Sequence, residues 1–288
     1  MFKSVFAVIV IAIATLALAQ HSAPAPTQGH LPQPKVSFVT PSIPDSPLVF
    51  AKEPTFLYDF TTGKLDPTIW FIADYPSPGS EPKFNNHGMY DASAIDFVKG
   101  GLRITVNQKQ GPNGIVESTG GAIYTKEQFS YGTYVFVMRQ SSTSPTIDGV
   151  GHTVTGAVSS GFLYRKNSES EIDLEFTGQD NAIHVTNWKN PTPQLPPPAG
   201  CNTTEKAKNQ FLGTQVRRYT LVWLPDKVQI SIDGVVVVTH KTHVPSAPAA
   251  IVLQHRGTNT NTWGGTANIG VPRYFFVQSV TYTPLVTK

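Results

Sequence analysis

Tyr219-Thr220-Leu221-Val222-Trp223, then Val228-Gln229-Ile230-Ser231-Ile232, the pair Asp233-Gly234, and Val235 to Val238 form the stretch that decides the fold. These are short runs of β-branched and aromatic residues with a turn signal at their centre. Asp-Gly tolerates the positive φ of a tight type I′ turn, so the unit is expected to be a β-hairpin. Moving outward, Gly101 to Val106 alternates apolar and polar residues, as does Tyr131 to Arg139, and Phe275 to Tyr282 closes the series. No window keeps a 3.6-residue period over three turns, and there is no internal repeat. Short strands between turn signals predict an all-β sandwich or barrel.

Composition agrees with that reading. Of 288 residues, 40% are hydrophobic, enough for a large core, while 23 Gly and 24 Pro mark frequent turns. Lys and Arg number 22 against 19 Asp and Glu, a formal charge of +3 without any basic run. No nucleic-acid partner is expected from such a balance. The expected partner is neutral.

The N-terminus reads as a targeting segment. Lys3 precedes an apolar stretch from Val5 to Leu18, about 14 residues, short of the roughly 20 that span a bilayer. Ala17-Leu18-Ala19 supplies small residues for cleavage before Gln20, which predicts a signal peptide over 1–19 and a secreted, extracellular or cell-wall protein with no membrane partner. Residues 20–52 are thick with Pro and predict a disordered arm, leaving 53–288 as the folded domain. Cys201 is alone, so no intramolecular disulfide is expected. Asn202-Thr203-Thr204 is a glycosylation sequon beside a Pro-rich loop.

Glu171-Ile172-Asp173-Leu174-Glu175-Phe176 is the segment with chemistry in it. On a strand, Ile172, Leu174 and Phe176 enter the core while three carboxylates share the other face. From the rise per residue, Glu171 and Glu175 are about 13 Å apart at Cα, and long side chains on a concave sheet close much of that gap. Retaining glycosidases hold two carboxyl groups roughly 5–5.5 Å apart. An intervening Asp173 would separate the two pKa values. A charged edge strand and a calcium site are the competing readings of the same pattern.

The segment resembles the E-x-D-x-E signature of glycoside hydrolase family 16, and its surroundings resemble the family in order. Gly161-Phe162-Leu163-Tyr164 is similar to the strand before the signature in lichenase-type β-glucanases. Phe129 to Tyr134 with Met138-Arg139, Gly178 to Asn187, Tyr219 to Trp223 with Ile232-Asp233-Gly234, and Trp263-Gly264-Gly265 match further blocks. The resemblance implies a concanavalin A-like jelly-roll of two curved antiparallel sheets, with β-glucan lying across the concave face. It implies Glu171 as nucleophile, Glu175 as acid/base and Asp173 as the assisting carboxylate. Ser170, Val185 and Arg256 depart from residues common in the family, Arg256 standing where a Trp is frequent.

Sugar faces call for aromatic platforms and a few hydroxyl partners. Tyr164, Phe162, Asn187, Trp263 and Arg256 are the expected substrate contacts, with His184 on the parity that faces elsewhere. Trp188 and Trp223 suit either core or platform. The expected activity is hydrolysis of β-1,3 or mixed β-1,3/1,4 glucan by a monomer without a cofactor. A structural calcium ion stays open, as do two alternatives: a cell-wall transglycosylase and a non-catalytic carbohydrate-binding module.

Overall fold

The computed structural model describes residues 48–80, 82–192, 197–208 and 215–287. The expected signal segment and most of the Pro-rich arm fall outside the described residues. The strands, in chain order, are β1 (Leu48–Phe50), β2 (Phe56–Asp59), β3 (Trp70–Ile72), β4 (Asn86–Tyr90), β5 (Ile95–Val98) and β6 (Gly101–Gln110). They continue with β7 (Val116–Thr125), β8 (Gly132–Ser142), β9 (Ala157–Tyr164), β10 (Glu171–Thr177), β11 (Ala182–Trp188) and β12 (Asn202–Lys208). The series ends with β13 (Arg217–Leu224), β14 (Lys227–Ile232), β15 (Val235–His240), β16 (Ala250–Gly257) and β17 (Arg273–Thr287).

Pairing sorts them into two layers. One runs β12-β11-β10-β9-β16-β7, with β3 beyond β7. The other runs β15-β14-β13-β8-β17, with β6, β2 and β1 following one another along the free edge of β17. Pairing is antiparallel except between β4 and β7. The layers join where the far end of β6 pairs with the start of β7, so this is the jelly-roll sandwich expected from the sequence.

The deciding hairpin forms as read. Ile232 pairs with Val235, and Asp233 and Gly234 take φ of 51° and 83°, the double positive φ of a type I′ turn. Burial alternates along β13 and β14, which places Tyr219, Leu221, Trp223, Val228 and Ile230 between the layers. From the facing layer come Ile172, Leu174 and Phe176 of β10, Ile183 and Val185 of β11, and Leu163 of β9. Trp223 is wholly buried, its indole N–H donating to the Pro245 carbonyl at 3.0 Å, so it belongs to the core rather than a sugar platform. Gly161 sits on this inner face because an added Cβ would meet the Phe136 ring at 2.9 Å.

One boundary moves. Leu48–Phe50 pairs with Leu285–Thr287 of β17, so among the described residues sheet is already formed within the expected arm, ahead of Lys52. Three residues of the expected arm form this edge strand because the long β17 offers them an open ladder.

Candidate active site

The outer face of the β12-to-β7 layer is arranged in rows by strand register. One row reads Asn202, Trp188, Glu171, Tyr164, Ala250. Two residues along, Thr204, Thr186 and Asp173 face the line continued by Val252 and Tyr124. The next holds Lys206, His184, Glu175, Ser160, Gln254 and Ala122. Although this face is turned away from the inter-sheet core, Asp173 is only 4% exposed and Phe162 and Tyr124 are each 8% exposed. A sheet face that buries its side chains this far is recessed between loops. It is a groove.

The three acids stand in it together. Asp173 hydrogen-bonds the Glu171 carboxyl and accepts the Trp188 indole N–H on Oδ2 at 3.2 Å. Ser168, in the loop before β10, also bonds Glu171. That loop is braced by an Arg165–Glu169 ion pair at 2.7 Å and by Asn190, whose side-chain amide donates to the Asn167 carbonyl at 2.9 Å. Ser170 accepts the Ala247 N–H at 2.9 Å and fixes the start of the strand.

Burial raises the pKa of all three carboxyls, because the groove floor solvates charge poorly. For Asp173 the charges of Glu171 and Glu175 push further in the same direction. Glu171 is pulled back by its bonds from Ser168 and Asp173, and Glu175 by the guanidinium of Arg256. The trio thus keeps a proton that isolated carboxylates would lose. Such a set can hold one carboxylate ionised for attack and another protonated for donation.

Beyond Glu175 the wall is cationic and aromatic. Arg256 Nη2 lies 3.6 Å from Glu175 Oε1, and its Cζ lies 5.1 Å from the centre of the Trp263 ring. His184 meets that ring edge-on at 6.1 Å and its Nε2 bonds Asp180 Oδ2 at 3.0 Å. Asp180 is also paired with Lys206. Burial lowers the His184 pKa, with Asp180 opposing the fall. Toward β7 and β3 the floor is aromatic: Phe71 stacks on Tyr124 at 4.8 Å, Tyr75 meets Tyr90 at 5.7 Å, and Phe162 meets Tyr164 at 6.4 Å. The Tyr90 hydroxyl donates to Gln254 Oε1 at 2.5 Å.

Of the expected sugar contacts, Tyr164, Phe162, Trp263 and Arg256 all come to this groove. Asn187 does not. It pairs with Ile172, is wholly buried on the core side, and its place beside the acids goes to His184 and Thr186. The turn Gly178–Asn181 decides this, because its length sets which side chains of β11 follow Glu175 onto the outer face, and one residue of slip inverts the strand. His184, expected from parity to face elsewhere, stands opposite Glu175 for the same reason. Trp188 belongs to the groove. Phe71, Tyr75, Tyr90, Tyr124, Gln254, Asp180 and Lys206 were not singled out from the sequence. The aromatic and polar signal was present, but their strands and loops meet only through long-range pairing. Asn202 lies at the rim, opposite Trp188 and half-buried. Among the described residues, no group of three or more His, Cys, Asp or Glu is arranged to hold a metal ion.

A jelly-roll sandwich with E-x-D-x-E carboxyls on its recessed sheet defines a carbohydrate-active enzyme of the glycoside hydrolase class. The family described as Glycosyl hydrolases family 16 matches residues 84–269, a span holding the trio and the opposing wall, and the chain belongs to that family. A Beta-glucanase of Paenibacillus polymyxa is 29% identical over 171 residues, covering 57% of this chain and 63% of that protein. A Beta-glucanase of Acetivibrio thermocellus is 27% identical over 228 residues, covering 76% of this chain and 60% of that protein. The chain therefore spans about three fifths of the length of these relatives. Among solved structures, a Bacillus licheniformis beta-glucanase superposes with a TM-score of 0.62 at 21% identity, over 81% of this chain and 99% of that one. A lichenase derived from a mouse hindgut metagenome gives 0.63 at 22% identity, over 80% and 98%. These likenesses share the fold.

Proposed function

We propose that the protein is a secreted endo-acting β-glucanase that cleaves β-1,3 or mixed β-1,3/1,4 glucan with retention of configuration. The observation that carries the reading is the set of three carboxyls on one recessed sheet face, Glu171 hydrogen-bonded to Asp173 and Glu175 facing Arg256, flanked by an aromatic floor. Glu171 attacks the anomeric carbon and the glycosidic C–O bond breaks as Glu175 gives its proton to the departing oxygen. Glu175 then takes a proton from water, whose oxygen displaces Glu171. Asp173 holds the Glu171 carboxyl through their hydrogen bond. The predominantly uncharged aromatic floor suits the flat faces of neutral pyranose rings. Secretion rests on the leader pattern over 1–19, and a glycan on Asn202 would stand at the groove rim.

Incubation with laminarin, lichenan, xyloglucan, agarose and chitin, followed by sizing of products, tests the reading. Laminarin or lichenan is expected to shorten to oligosaccharides that keep the β-anomer when first released. Immediate release of the α-anomer would overturn the mechanism, and cleavage of agarose or chitin alone would overturn the substrate. Adding an oligosaccharide acceptor separates hydrolysis from transglycosylation by whether longer chains accumulate.

Tyr75 provides a check on the floor. It is part-buried beside Tyr90, in the loop after β3. Tyr75→Ala is expected to raise KM on glucan roughly five- to tenfold with kcat little changed, the signature of lost uniform binding. An unchanged KM would remove Tyr75 from the substrate path.

A further inference from the structure

Arg256 carries an inference beyond the double-displacement reading, and rests on it for the roles of Glu171 and Glu175. The side chain is 9% exposed and held at three points. Its Nη1 donates to the Pro78 carbonyl at 3.2 Å, its plane lies against Trp263, and its Nη2 faces Glu175 Oε1 at 3.6 Å. Glu175 is the carboxylate that this guanidinium pairs with among the described residues. A buried cation fixed in this way favours the ionised form of the one acid beside it.

The other groups around Glu175 act differently. Burial favours its protonated form, and Asp173 and Glu171, on the same strand, repel its charge wherever they are themselves ionised. On β11 His184 stands opposite, tied to Asp180 and through it to Lys206. On β9 the neighbour is the neutral Ser160. From β4 the Tyr90 phenol bonds Gln254 one strand away. Arg256 is thus the charged group in direct contact that draws the proton off.

We propose that Arg256 is a positioning residue that makes Glu175 the stronger acid, easing departure of unactivated sugars and setting the alkaline limit of activity. As the glycosidic bond breaks, the Glu175 proton passes to the leaving oxygen and the new carboxylate is received by the guanidinium. When water later loses its proton to Glu175, the ion pair opens again.

Arg256→Gln and Arg256→Lys test this by three readouts. In Arg256→Gln the alkaline limb of kcat/KM is expected to move up by about one to two pH units. Turnover of glucan should fall roughly tenfold, while a dinitrophenyl oligosaccharide, whose leaving group needs no proton, should stay within about twofold. Arg256→Lys, keeping the charge, should stay nearer the wild type on all counts. An unmoved limb, or equal losses on glucan and the aryl substrate, would overturn the proposal. The third readout is the Glu175 carboxyl titration followed by carbon-13 NMR without substrate, expected to shift upward in both variants and most in Arg256→Gln. No shift there overturns the proposal whatever the enzyme cleaves, and should Arg256→Gln not fold, Arg256→Lys alone decides it. Failure of the wild type to cut any β-glucan counts against the β-glucanase reading and leaves this titration to be read by itself.

Discussion

Glu171→Gln should lower turnover on β-glucan by roughly three orders of magnitude or more, while the folded protein stays intact. The amide is nearly the same size as the carboxyl it replaces. It still accepts a hydrogen bond from Ser168 and can donate one to Asp173, the two partners of Glu171. What it lacks is a lone pair nucleophilic enough to form the glycosyl intermediate. Circular dichroism and melting should therefore match the wild type within a few degrees. Glu175→Gln should lose glucan cleavage to a similar extent but keep much of its first-step rate on an activated aryl glycoside, because only the proton donor is gone. Glu171→Ala with azide as an external nucleophile should yield a glycosyl azide of inverted configuration. Retention of substantial glucan cleavage by Glu171→Gln, with confirmed sequence and purity, would leave the nucleophile unassigned and the double-displacement reading without its first step.

Asp173→Asn should move activity and stability in opposite directions. Asp173 is 4% exposed and its pKa lies well above the ordinary carboxylate range, first through burial and then through Glu171 and Glu175. A carboxyl whose folded pKa is raised binds its proton more tightly when folded. Its contribution is fully present below the unfolded pKa and is lost as pH rises through the folded value. At pH 7 to 8 the wild type bears this cost. An asparagine does not titrate, yet its carbonyl can accept the Trp188 N–H and its amide can donate to Glu171. Stability should rise by about 1–3 kcal/mol at pH 8, or roughly 2–12 °C in Tm for a domain of this size. The gain should shrink toward pH 4, where Asp173 is protonated in both states. Glucan turnover should drop by about ten- to a hundredfold, since the carboxyl that adjusts Glu171 is gone. A melting temperature at pH 8 equal to or below the wild type's would mean that Asp173 carries no raised pKa.

Much of this architecture is written locally. Alternation along Glu171–Phe176 puts Ile172, Leu174 and Phe176 in the core and the acids on the opposite face, as register and core packing in the structure have it. Asp233-Gly234 turns where its backbone freedom allows. Tyr164, Phe162, Trp263 and Arg256 reach the groove as expected. Asn187 fails because which way it faces is set by the length of the Gly178–Asn181 turn, which the letters of β11 do not record. Phe71, Tyr75, Tyr90 and Tyr124 fail for another reason: each is an unremarkable aromatic until β3, β4 and β7 are placed side by side. The edge strand at Leu48 escapes because three residues are too few to show a period, and its partner lies at the other end of the chain.

The short connection between Thr177 and Ala182 also bears on how this groove can diversify. Adding or deleting one residue there would not shift the lining by degrees. It would exchange His184, Thr186 and Trp188 for Ile183, Val185 and Asn187 in a single step, putting an aliphatic side chain where the imidazole stands and a lone amide further along the row. Descendants with such a length change would need matching replacements along the whole of β11 to keep a core. New preferences are therefore easier to reach by exchanging residues at fixed length than by resizing the bend.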